Sequence, residues 1–444
     1  MPGRAPARSG LRRARGISLL VIALVGASAP AASASWSRPT RLSGPWSLDV
    51  LPAQIRFSSA GAAAIGYGIE DPANPAASSA LLTTETAKGR ISKPRRIPGA
   101  QQILDLAFQG STLELLTGNS PAGFACCSSA QTVRMAPSGS LSRPRALVSG
   151  LTGSALGRLV AAGGGGLLAT VATQRGIWAA QAPNGDRFGK PRRLTGVGGQ
   201  PQTLAATRLA KGHTAIAWTA SSGVPGGPGP RSISVAEGTS SRAPGAGATA
   251  VVVPPGHQID ELQMTSAGSI PTVAWVESWL DRGAYHSQPI AEDLSRRGRP
   301  HPFPVGSQLA SRLALAGDGA GDQVLAWAQC SAGGACSVQA ATRRAGGRFS
   351  AATSLGSIDA SQAPAVTVAP GGEAFVGWSD SRGVELAGRG AKAARFGAPQ
   401  VIATTTPTAD LTLAASSGGQ VIAVWSQAVQ APTLMAATYR PQNH

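Results

Sequence analysis

A short apolar run ending in tryptophan recurs along the second half of the chain: Ala215-Ile216-Ala217-Trp218, Thr272-Val273-Ala274-Trp275, Val324-Leu325-Ala326-Trp327, Ala374-Phe375-Val376-Gly377-Trp378 and Val421-Ile422-Ala423-Val424-Trp425. The tryptophans lie 57, 52, 51 and 47 residues apart. The same slot continues backwards through Val171, Leu116 and Tyr67 at intervals of 47, 55 and 49, which makes eight units. Within a unit, residues 363–403 read as four strands. Residues 363–368 alternate, Pro370-Gly371-Gly372 turns the chain, 373–378 run into Trp378, and 384–388 and 396–403 follow after loops. Four short strands repeated every fifty residues predict a propeller blade.

A second landmark carries the same period. A basic residue, proline and an apolar residue recur as Arg38-Pro39-Thr40-Arg41-Leu42, Lys93-Pro94-Arg95-Arg96-Ile97, Arg143-Pro144-Arg145-Ala146-Leu147 and Lys190-Pro191-Arg192-Arg193-Leu194, with weaker copies near Pro244, Pro300, Ala352 and Pro399. Proline is tolerated at a sheet edge, so this motif marks the outer strand. Its first copy precedes the first tryptophan-type slot and none follows the last. The N-terminal strand is therefore expected to complete the last blade and close the ring.

The reading is an all-β chain forming a single eight-bladed β-propeller of four-stranded antiparallel blades, with a seven-bladed ring as the alternative because residues 248–253 make an atypical outer strand. The expected blades are 45–98, 99–149, 150–196, 197–253, 254–306, 307–357, 358–404 and 405–440 joined by 35–44, with a tail at 441–444. Residues 1–34 read as a secretory signal peptide. Arg4, Arg8, Arg12, Arg13 and Arg15 precede an apolar run from Ile17 to Val25, and Ala32-Ser33-Ala34 suits signal peptidase. That run is about half the length that spans a bilayer, and no later segment is long and apolar enough. Sec and twin-arginine export both remain open.

Composition fits this picture. Of 444 residues 57 are Gly and 33 Pro, only 14% are charged and 5% aromatic, which excludes long helices and coiled coils and suits many short strands with turns. The net charge is +18, from 39 basic and 21 acidic residues, and five of the arginines leave with the signal peptide. Export, and the lack of aromatics among the basic residues, speak against nucleic acid as a partner.

Period and strand pattern resemble secreted bacterial β-propeller repeat proteins of the sialidase-like (BNR-like) kind over nearly the whole mature chain. The resemblance implies the fold. The family's Ser-x-Asp-x-Gly-x-Thr-Trp turn is absent, Ser379-Asp380-Ser381-Arg382-Gly383 being a loose echo, and its arginine triad and Tyr–Glu pair have no counterpart here.

Sequence motifs for a serine-hydrolase elbow, a zincin, a redox Cys pair or a phosphate loop are missing, and no cofactor or metal is expected. Gly317-Asp318-Gly319-Ala320-Gly321-Asp322 reads as a turn, since two carboxylates fall short of a calcium cage. Varied polar chemistry gathers in what reads as a long loop after Trp275, from Val276 to His286, and in the connection holding His257, Asp260 and Glu261. Glu277 and Asp281 are the candidate acid and base of a glycosidase. Arg282 would contact an anion, Tyr285 would hydrogen-bond, Trp279 would stack on sugar, and His286, His257 and Asp260 complete the binding set. Cys330 and Cys336 are expected to form a disulfide across a hairpin; Cys126-Cys127 is open between a vicinal bridge, free thiols and a link elsewhere.

Arg38, Arg41, Lys93, Arg95, Arg96, Arg143, Arg145, Lys190, Arg192 and Arg193 fall on neighbouring blades and predict a basic arc on the rim. Such residues protect an exposed sheet edge, and they also attract anionic polymers. The expectation is a secreted or cell-envelope-associated, monomeric, non-catalytic binding or scaffold propeller whose partner is an extracellular protein or anionic cell-envelope polysaccharide. The alternative is a sialidase-like glycoside hydrolase with a divergent active site.

Overall fold

The computed structural model describes residues 35–441 except 48, 72–73, 75–76, 120–127, 150–155, 174, 186, 195–199, 222–228, 240–241, 295–299, 406–410 and 429–430. The expected signal peptide and the Cys126-Cys127 pair lie outside the described residues.

Eight antiparallel sheets follow one another along the chain, each meandering from an inner to an outer strand. The second blade runs Gln102–Gln109, Thr112–Asn119, Ser129–Met135 and Arg145–Ser149, and the sixth Leu309–Gly317, Gln323–Cys330, Cys336–Arg343 and Thr353–Ile358. The first blade has a fifth strand, because Asp49–Val50 and Gln54–Phe57 both pair with Ala63–Glu70. Ala248–Val252 pairs in sequence as the outer strand of the fourth blade, so the atypical stretch is a regular blade edge and the ring has eight blades, not seven.

The last sheet consists of Thr412–Ala415, Val421–Ala428, Pro432–Tyr439 and, outermost, the N-terminal strand Thr40–Ser43. Thr40 pairs with Ala436 and Arg41 with Met435, while Trp36 bridges Tyr439 and the Ser37 hydroxyl accepts the Thr438 N–H across 401 positions of sequence. This is the closure that the offset between the two repeated motifs predicts.

The core is a chain of eight apolar clusters, each shared by two neighbouring blades. Val324, Ala326 and Val338 of the sixth blade pack on Val376 and Trp378 of the seventh, and Ile422, Val424 and Leu434 of the eighth pack on Ile55, Ile65 and Tyr67 of the first. All five slot tryptophans are buried, Trp327 and Trp378 completely, and each faces the preceding blade. Leu116 differs from its assignment: it faces the third blade, and Leu115, pointing the other way, occupies the wall that the tryptophans hold elsewhere. Successive residues of a strand face opposite sides, so a one-residue error of slot is an error of seam.

Carboxylates tie the inner strands together where their register shifts. Asp105 follows a bulge in the second blade and accepts N–H bonds from Leu106 at 2.8 Å and from Leu159 of the third blade at 2.9 Å, while pairing with Arg56 of the first at 2.8 Å. Glu261 follows the equivalent bulge in the fifth blade and accepts the Arg312 and Leu313 N–H groups of the sixth at 2.7 and 2.5 Å. Arg312 has φ 58°, which turns its N–H toward that carboxylate within a second bulge.

Candidate functional site

The stretch read from sequence as a loop after Trp275 is instead a pair of long strands. Ile270–Asp281 and Ala284–Asp293 pair in continuous register to a two-residue turn at Arg282 (φ 49°) and Gly283 (φ 81°), and the supposed connection is the inner strand His257–Ala267. Positive φ at both turn residues is the type I′ geometry that suits the twist of a hairpin. The fifth blade thus projects a hairpin tip on which Leu280 is 71% and Tyr285 47% exposed.

Register sorts the candidate residues onto two faces. His257, Trp279 and His286 stand opposite one another across three strands, and their rings stack, His257 on Trp279 at 4.8 Å and Trp279 on His286 at 5.4 Å. Both faces of the Trp279 ring are covered by imidazoles, which corrects its expected role as a sugar-stacking platform. Glu277 shares this face, buried, with His257 Nδ1 2.5 Å from its Oε1. Asp281 lies four residues further along the same strand, at the exposed tip. A strand rises about 3.3 Å per residue, so the two Cα positions stand about 13 Å apart. Glu277 is buried against His257 while Asp281 is exposed at the tip, so the two carboxylates stand in different surroundings. On the opposite face Asp260 accepts hydrogen bonds from Gln258 Nε2 at 2.9 Å and Tyr285 Oη at 3.2 Å; burial first, and then the Asp260 charge, raise the tyrosine pKa. Arg282 is exposed at the turn.

The loose echo of the family's turn, Ser379 to Gly383, closes a hairpin of the seventh blade. Asp380, buried, accepts the Arg382 N–H at 2.8 Å and the Ser357 hydroxyl at 2.5 Å, so its oxygens hold local structure. Asp318 is likewise a turn residue: one oxygen accepts the N–H groups of Ala320, Gly321 and Asp322. Cys330 and Cys336 face each other across the sixth blade's hairpin and are bonded.

The ten basic residues of the outer-strand motif are all exposed, on the eighth, first, second and third blades, which are neighbours in the ring. The motif's apolar position turns inward beside them, Leu42, Ile97 and Leu194 being buried. Charge is uneven along the chain. Residues 35–194 hold seventeen basic and seven acidic side chains, whereas residues 195–444 hold seventeen and fourteen. Three of those seven acids, Glu85, Asp105 and Glu114, are buried.

Within the arc a pocket of about 540 Å³ opens between the second and third blades, lined by Glu114, Thr132, Arg134, Ser142, Arg145, Arg187 and Phe188. Glu114, 4% exposed, accepts the Arg134 Nε–H at 3.0 Å. Burial raises its pKa, while Arg134, Thr132 and Arg145 act in the opposite sense. Of this set the sequence reading contained only Arg145. A lone acid inside the apolar run Leu113-Glu114-Leu115-Leu116 was the available signal; nothing local marks Arg187 or Phe188.

No known protein-family profile matches the chain, and no curated protein does. Solved structures do match it. An ulvan lyase from a new family of polysaccharide lyases, bound to a -[GlcA(1-4)Rha3S]- segment, aligns at 9% identity over 81% of this chain and 97% of its own, with a TM-score of 0.50. The sialidase Hz136 of Hadza microbial origin aligns at 12% identity over 70% of this chain and 73% of its own, with a TM-score of 0.40. A protein of unknown function from Dyadobacter fermentans DSM 18053 aligns at 12% identity over 64% and 94%, with a TM-score of 0.41. At such identities the likeness is one of fold alone.

Proposed function

We propose that this chain is an exported, non-catalytic propeller that binds anionic cell-envelope polysaccharide through its basic arc. The observation that carries this reading is the placement of ten exposed basic side chains on the outer edges of four adjacent blades, in a stretch of chain where seventeen basic residues face seven acids. Edge protection needs a charge on each exposed strand but does not need the charges gathered on one half of the ring. A field of one sign concentrates a polyanion and weakens as salt screens it. Export rests on the basic, apolar and small-residue order of residues 1–34. No helix among the described residues is long and apolar enough to cross a membrane.

The test is retention on a sulfated-polysaccharide resin. The protein is expected to elute well above 0.15 M salt, and a variant with Arg95, Arg96, Arg192 and Arg193 all replaced by Gln is expected to elute earlier. An unchanged elution position refutes the arc as a binding surface.

A further inference from the structure

We infer that the pocket between the second and third blades is a binding site for a single anionic sugar unit, a ring bearing a carboxylate or a sulfate ester. The inference rests on the polyanion reading and locates within the arc the place where a defined saccharide is recognised.

The described lining of the pocket is richer in guanidinium groups than the ion pairs at two other seams. Between the fifth and sixth blades, Arg343 makes a two-pronged contact with Asp293 at 2.7 and 3.0 Å, and between the eighth and first, Arg440 meets Glu85 at 3.6 Å. At the second and third blades three guanidinium groups, those of Arg134, Arg145 and Arg187, border one cavity, and among its described lining residues the one carboxylate is Glu114, which is buried and bonded to Arg134. Among the described residues neither Arg145 nor Arg187 pairs with an acid. Guanidinium groups bind carboxylate and sulfate through parallel N–H donors, the geometry that a bare surplus of charge would lack.

The remaining lining points to a sugar in addition to an anion. Phe188 is half-buried, packed on the apolar cluster of this seam, and presents an apolar wall to the same cavity. A volume of about 540 Å³ falls within the roughly 300–1,000 Å³ range of small-ligand sites and is far larger than an isolated oxyanion needs. Glu114 is a positioning residue: it accepts the Arg134 Nε–H and helps to hold that guanidinium at the pocket wall.

Calorimetric titration of the purified protein tests this with three probes: a sulfated tetrasaccharide, a uronate tetrasaccharide and inorganic sulfate. One or both tetrasaccharides are expected to bind with unit stoichiometry, and the arm that binds identifies the anion. Arg145→Gln and Arg187→Gln are each expected to weaken that binding about tenfold, the loss of a charge-assisted contact of roughly 1.4 kcal/mol. Phe188→Ala is expected to weaken tetrasaccharide binding while leaving sulfate unaffected. The decisive variant is Glu114→Gln. It adds a net positive charge, so a simple field would bind more tightly; loss of the Arg134 anchor weakens binding instead. Unchanged or tighter binding by Glu114→Gln, or tetrasaccharide binding that survives Arg145→Gln and Arg187→Gln, overturns the site. Resin retention separates the two readings. The pocket variants remove few of the arc's charges and are expected to elute close to wild type, whereas the four-arginine rim variant elutes early but titrates normally. Retention without saturable tetrasaccharide binding overturns the pocket alone; saturable binding without retention overturns the arc alone; absence of both overturns both.

Discussion

Replacing Asp105 by alanine removes the residue that joins three successive inner strands, and the cost follows from what its oxygens hold. Asp105 is 2% exposed and accepts two backbone N–H groups, from Leu106 and Leu159, besides the Arg56 guanidinium. Hydrogen bonds to a charged acceptor are worth roughly 1.5–3 kcal/mol each, and a buried donor left without a partner costs a comparable amount. The Arg56 side chain is 43% exposed, so solvent screening leaves that pair about 1 kcal/mol at most. Arg158 adds to the loss. Burial lowers its pKa and Arg56 lowers it further, and Asp105 is the charge that opposes both. Together these place the cost of Asp105→Ala at about 4 kcal/mol, which for a domain of this size lowers the melting temperature by about 5 °C. Asp105→Asn keeps one acceptor oxygen and should lose about half as much. Calorimetry and the urea midpoint measure both, and hydrogen exchange at the Leu159 amide reports the contact itself. A loss below about 1 kcal/mol for the alanine variant, or unaltered Leu159 protection, would refute the idea that bulge carboxylates couple the blades.

Elsewhere in the ring, Gly247→Ala should destabilise by about 1–3 kcal/mol, because the added Cβ would lie 2.0 Å from Trp218 Cη2 in a packed seam; near-ultraviolet circular dichroism and the unfolding midpoint check it, and an unshifted indole spectrum counts against it. The Arg343–Asp293 brace should be pH-dependent. Burial acts to raise the Asp293 pKa, but hydrogen bonds from Arg343 and Thr272 and the arginine charge outweigh it, so the carboxyl titrates below the ordinary aspartate range. The folded state then binds fewer protons than the unfolded one, and the brace stabilises above about pH 4 and is lost as pH falls through the lowered pKa. Arg343→Met should therefore cost stability at pH 7 and progressively less below pH 4; a stability gap independent of pH would contradict this.

How far the sequence reaches depends on whether a residue's role is set by its own strand or by its neighbours in space. Trp275 and Trp327 are legible because a large ring in a β-branched and alanine-rich run needs a seam to bury it, and the seam recurs with each blade. The outer strand is legible because Pro and Arg together suit only an edge. Leu115 and Leu116 are equally apolar, so no composition rule tells which faces the first blade; the answer comes from register across three strands. The fifth blade's hairpin was hidden for a different reason. Glu277, Ser278 and Asp281 look like loop residues, yet a strand that runs past the apolar core needs no apolar side chains, and Arg282-Gly283 supplies the turn. The pocket arginines lie on two blades and meet only through the ring, so the spacing of Arg134, Arg145 and Arg187 along the chain carries no trace of their proximity.

The closing strand has a consequence for how the ring is made. Synthesis runs from the N-terminus, so Thr40–Ser43 is the first strand of the propeller to exist and must wait for Pro432–Tyr439, one of the last, before its backbone groups find partners. Every other blade can fold from a contiguous stretch of chain; the eighth depends on two pieces separated by almost all of it, and such long-range pairing is the slow step of a β fold. During that wait the strand is an unpaired edge, with two residues, Leu42 and Ser43, that end up buried. Arg38, Pro39 and Arg41 flank them. Charge and proline at this position serve as a temporary guard against the wrong neighbour, protecting the latch until there is something to fasten it to.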